Sequence, residues 1–131
     1  MAGLYLGRLD QAERDFDAAE RTYRAAHLAR FAADVVHNRA MVRARRGDLP
    51  GALRDFRDAE EELAHLGQDI DVKIVARAEV MAMAGLHEDV VDELPAAVAR
   101  LDAAGLRTDA AEGRLYLALS LMSEPGARSN P

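Results

Sequence analysis

The fourteen residues Gly47–Glu60, G-D-L-P-G-A-L-R-D-F-R-D-A-E, restate a phrase found forty positions earlier as Gly7–Glu20, G-R-L-D-Q-A-E-R-D-F-D-A-A-E. Aligned without gaps, the two share Gly, Leu, Ala, Arg, Asp, Phe, Ala and Glu, eight of fourteen positions. Average residue usage gives about one chance match, and about two in a chain this rich in Ala and Arg. A period in the thirties to forties carrying a helical apolar pattern points to a stack of helix pairs, an α-solenoid.

The apolar pattern supports that reading. Ala12, Phe16, Ala19 and Tyr23 recur as Ala52, Phe56, Ala59 and Leu63, and again as Val90, Leu94, Ala97 and Leu101. The spacing i, i+4, i+7, i+11 is one stripe of a 3.6-residue helix. Its small residues let two helix axes approach, and its large ones fill the groove between them. A second repeat, offset by 38, aligns Val36–Ala44 with Ile74–Ala82. Glycines at 7, 47, 67, 85 and 105 suit the left-handed residue just past a helix end. The interval from Gly7 to Gly47 holds no such break, and its boundary is expected near Ala29–Ala33.

The expected fold is all-α: a solenoid of antiparallel helix pairs with about six to seven helices. Helices are expected near 9–28, 33–46, 49–66, 70–84, 87–104 and 108–122, after a short helical remnant ahead of Gly7. Residues 1–123 then form one repeat domain whose first repeat is truncated, and 124–131, E-P-G-A-R-S-N-P, a disordered tail. Pro50 suits a first helical turn, whereas Pro95 is expected to kink or split its helix near Glu93. With its inner partner cut short, the first outer helix is expected to leave Leu9 and Phe16 largely bare, which points either to a segment of a larger protein or to homodimerisation through the bare ends.

Composition removes several function classes. The 131 residues include no Cys, so thiol catalysis, disulfides and thiolate metal sites are excluded. A net charge of −6 argues against a nucleic-acid surface. No apolar run nears the roughly 20 residues of a membrane span, and the N-terminus lacks the features of a signal peptide, so a cytoplasmic protein is expected. The four histidines, His27, His37, His65 and His87, show no metal-ligand spacing. No phosphate loop, nucleophile triad or paired-carboxylate motif stands out. The reading is non-enzymatic, without cofactor or metal. Arg46-Gly47-Asp48 spells an adhesion tripeptide, but its Gly is the repeat's helix-end glycine and its Asp a natural cap.

Ala40, Gly47, Ala52, Phe56 and Ala59 resemble the small, Gly, small, aromatic and small positions of the tetratricopeptide repeat. The resemblance extends over nearly the whole chain, though Arg107–Met122 has no register. H-N-R-A-M-V-R-A-R-R-G-D-L with E-E-L-A-H-L-G is similar to arrays in actinobacterial CHAT-domain proteins and in large bacterial transcription regulators. The resemblance implies a scaffold whose inner helices, 33–46, 70–84 and 108–122, line a concave groove for a protein or peptide segment. Asp34, His37, Met41, Arg45, Val75 and Glu79 are its groove candidates by that register. The run Arg43, Arg45 and Arg46 reads first as a solvated face with local ion pairs; because it closes an inner helix, contact with an acidic partner is the alternative. The family's clamp for a C-terminal carboxylate is missing: Asn38 fits, but Val72 and Ala76 stand where Lys and Arg are required. Two alternatives share the architecture: a sensor segment of a transcription regulator, and the substrate-recruiting segment of a CHAT-type peptidase.

Overall fold

A computed structural model describes residues 2–123, with side chains from Gly7 onward. Six helices follow one another: α1 (Ala2–Ala25), α2 (Ala29–Arg45), α3 (Leu49–His65), α4 (Asp71–Met83), α5 (His87–Ala103) and α6 (Arg107–Ser123). No strand occurs among the described residues, and neighbouring helices pack in pairs, giving an all-α helical repeat. The proposed tail, 124–131, lies outside the described residues.

Five of the helix ends are built alike. His27, Gly47, Gly67, Gly85 and Gly105 all have positive φ, between 59° and 88°. At each, the next residue's N–H reaches back five positions, as from Asp48 to Arg43 (2.9 Å) and from Leu106 to Leu101 (2.9 Å), closing a Schellman motif. The left-handed residue thus recurs at intervals of twenty, twenty, eighteen and twenty. The break between the first two helices falls at Ala26–Leu28, earlier than expected. It was hidden because His27, not Gly, takes the left-handed conformation there.

Gly7 marks no boundary. It has no positive φ, and α1 passes through it without interruption from Ala2. The expected remnant and first outer helix are therefore one helix of 24 residues. Pro95 does not divide α5 either, which is continuous from His87 to Ala103. The Pro95 ring is on the exposed side of the helix. Pro50 sits in the first turn of α3, as expected, behind an Asp48 cap that accepts the Gly51 N–H at 3.0 Å. Arg46-Gly47-Asp48 is accordingly a helix end, a left-handed turn and a cap.

The chain divides into two compact units, Met1–Asp69 and Ile70–Pro131. In the first, α2 packs against both α1 and α3. Its core is Ala32, Ala33, Val36, Ala40, Ala52, Phe56, Ala59 and Leu63. Leu9 is buried and Phe16 half-buried, so α1 is not the bare end that its truncated repeat suggested. In the second unit, α4, α5 and α6 pack mutually around Val75, Ala78, Val90, Leu94, Ala97 and Leu101. Gly113 brings α6 close to its neighbours: a Cβ there would stand 2.6 Å from Val98 and 3.3 Å from Val75.

Candidate functional site

The six groove candidates fall in different units and different environments. Asp34, His37, Met41 and Arg45 are on α2 in the first unit; Val75 and Glu79 are on α4 in the second. His37 and Val75 are each only 3% exposed and face the core, so neither can meet a ligand at an open surface. The His37 ring instead packs edge-on against Phe56, and its Nε2 lies 3.4 Å from Glu60. The physical reason is helical phase. Positions 37 and 75 follow 33 and 71 by one turn on the face each helix turns to its outer partner, whereas 34, 41 and 45 are on the neighbouring face. Asp34 and Met41 are half-buried and Arg45 exposed.

The arginine run is largely spent within the first unit. Arg43 donates to Asp55 at 2.9 Å, and Arg46 donates to Glu13 at 2.9 Å with Asp10 at the same distance. Arg39, half-buried, donates to Asp55, Asp17 and Glu20 at 2.8–3.0 Å. Bonding to Asp55, then Asp17, holds its guanidinium above the ordinary arginine range despite burial. Asp10, Glu13, Asp17 and Glu20 form an acidic stripe on α1 that these bases zip to α2. An acidic partner would find only Arg45 of the run without an ion pair among the described residues.

In the second unit, Glu79 opens onto a cleft of about 300 Å³ between α4 and α6, lined also by Ala82, Met83, His87, Tyr116, Leu119 and Ser123. The Tyr116 hydroxyl donates to Glu79 at 2.6 Å and has Glu112 at 3.1 Å. Burial, with those two bonds, pushes this phenol well above its usual range, so it remains protonated. One hydroxyl carries one proton, and it cannot serve both carboxylates at once. The cleft is therefore left with uncompensated negative charge beside an aromatic face. Apolar walls flank it: Met83 is 85% exposed and Leu119 46%. At the floor, His87 Nδ1 and Ser120 Oγ are 3.1 Å apart and tie α5 to α6.

Tyr116, Leu119, Ser123 and Glu112 escaped the sequence reading because the last helix lacked a register. The structure supplies it. Leu28 and Leu106 both follow a left-handed residue, and Ala32 and Ala110, four residues on, are both fully buried. This equates α2 with α6 at an offset of 78, under which Asp34, Asn38, Met41 and Arg45 become Glu112, Tyr116, Leu119 and Ser123. Of the groove candidates on α2, Met41 and Arg45 are thus equivalent to the cleft residues Leu119 and Ser123, whereas His37 is equivalent to Leu115, outside the cleft; Tyr116 is equivalent to Asn38, which was not a groove candidate. Glu79 shares the class of Met41 and Leu119, and Met83 that of Arg45 and Ser123.

Among the described residues, no three His, Asp or Glu side chains come together as a metal site, and no helix is long and apolar enough to cross a membrane. No family model, curated protein or solved structure matches the chain.

Proposed function

We propose that this chain is a non-enzymatic interaction scaffold, and that the α4–α6 cleft seats a segment of another protein. The observation that carries the proposal is the composition of that cleft. Two carboxylates converge on one tyrosine hydroxyl, between the exposed side chains of Met83 and Leu119. Such a surface suits a segment presenting Arg or Lys next to an apolar side chain: the cation meets Glu79, Glu112 and the Tyr116 ring, and the apolar neighbour covers Met83 and Leu119. Methionine adapts to differently shaped apolar partners. The resemblance of Ala40, Gly47, Ala52, Phe56 and Ala59 to tetratricopeptide repeats supports the same class of function and the use of inner helices. The partner's chemistry is thereby basic, not the acidic one that was the alternative reading of the arginine run.

Fluorescence anisotropy with short labelled peptides tests this. A peptide with Arg between Leu and Met residues should bind, and the same peptide with Glu in place of Arg should not. Glu79→Lys in the chain should abolish binding of the first and restore binding of the second. Equal binding of both peptides, or indifference to Glu79→Lys, would contradict the proposal.

A further inference from the structure

α6 has a second open face, turned away from the cleft. Under the same register, Ala111, Leu115 and Ala118 correspond to Ala33, His37 and Ala40 on α2, and to Asp71, Val75 and Ala78 on α4. All six of those residues are buried, against α3 in the first unit and within the second. Their three α6 counterparts are exposed, Leu115 by 54%. Met122, one turn beyond Ala118, is 73% exposed. The face that on α2 carries the antiparallel helix α3 is thus open on α6.

We infer that this face is an interface between two copies of the chain, formed by α6 against α6 of the second copy in antiparallel register. Two observations select that occupant, charge and side-chain spacing. Docking α1 of a second copy, the other outer-type helix, would set Asp15 where Asp55 sits on α2. Asp55 there meets Arg39 and Arg43, but α6 offers Leu117 and Leu121 at those positions, so a carboxylate would be desolvated without a counter-charge. Pairing α6 with itself buries no charge. Thr108, Ala111, Leu115, Ala118 and Met122 follow the alternating three-four spacing of a coiled-coil seam.

The antiparallel direction follows from side-chain size. Antiparallel, Leu115 faces Ala118 of the second copy and Met122 faces Ala111, so each of these layers joins a large side chain with a small one. The two-fold axis repeats each contact, as an isologous interface requires. In parallel, Leu would meet Leu and Ala would meet Ala, leaving gaps at alternate layers. The cleft lies on another face of α6 and stays accessible.

Sedimentation of the whole chain tests the inference across roughly 10–500 µM, the range in which so small an interface is populated. The 14.3 kDa monomer should be in concentration-dependent exchange with a dimer. Leu115→Glu should weaken association about a hundredfold, by placing a charge in the seam, with its helical circular dichroism unchanged. Phe16→Ser should leave association intact. Because the chain lacks cysteine, Arg107→Cys takes a single spin label; antiparallel pairing separates the two labels by about 28 Å and parallel pairing by about 10 Å. A monomer throughout, a dimer indifferent to Leu115→Glu, loss of the dimer with Phe16→Ser alone, or the short label distance would each overturn it.

Discussion

The ring of His37 on α2 meets the ring of Phe56 on α3 at 4.7 Å between centroids, inclined by 63°. This edge-on contact joins the inner helix to the repeated stripe on the outer one, and both residues are buried. It makes Phe56, not its equivalent Phe16, the anchor of the first unit. Phe56→Ala should cost about 3–5 kcal/mol, a large part of the roughly 5–15 kcal/mol that holds a domain of this size. Phe16→Ala, at a half-buried position, should cost markedly less. Urea unfolding of the two variants compares them directly.

Gly7 and Gly47 occupy the same place in the repeated phrase but different conformations. Neither has an atom within 4 Å of where a Cβ would stand, so backbone angle alone decides the effect of a substitution. Gly7→Ala, within α1, should stabilise by about 0.5–1 kcal/mol. Gly47→Ala, at φ 88°, should destabilise by about 1–2 kcal/mol. Opposite shifts in Tm are the expected result.

Arg39 joins the three helices of the first unit through Asp17, Glu20 and Asp55. Arg39→Met would leave the buried Asp55 with Arg43 alone. The expected loss is about 2–3 kcal/mol, below that of a fully broken buried pair because one cation stays. A double-mutant cycle with Asp55→Asn should recover part of it.

Glu62 accepts both terminal nitrogens of Arg24 at 2.9 and 3.0 Å, and this bonding holds its carboxyl below the usual value of 4.5. A depressed folded pKa means stability that is present above about pH 4.5 and lost as pH falls through the folded value. The pair is substantially solvated, so the effect should stay below about 1 kcal/mol. Glu62→Gln should lower stability at neutral pH by up to that amount, leave it unchanged well below the folded pKa, and so flatten the acid limb of a stability–pH curve.

Much of the fold was legible because helix ends and helix faces leave separate marks in sequence. The glycines at 47, 67, 85 and 105 placed four turns to within a residue or two, and the stripe Ala52, Phe56, Ala59, Leu63 is entirely buried. The first turn was not legible, since a histidine adopts the conformation that glycine usually marks. Gly7 misled for the converse reason: glycine permits a left-handed turn without requiring one. The candidate site was legible only in pattern. Glu79 reached the cleft, but His37 and Val75 were set one helical face out of phase, and a register for α6 needed the common burial of Ala32 and Ala110.

The measurement that bears most directly on the interaction-scaffold proposal is peptide selection from a random display library against the whole chain, followed by nuclear magnetic resonance mapping of the selected peptide. The account predicts peptides rich in Arg or Lys beside Leu, Met or Phe, and shift changes centred on Glu79, Met83, Tyr116 and Leu119, abolished by Tyr116→Ala. Selection of acidic peptides, or shift changes centred on α1 and α2, would contradict it.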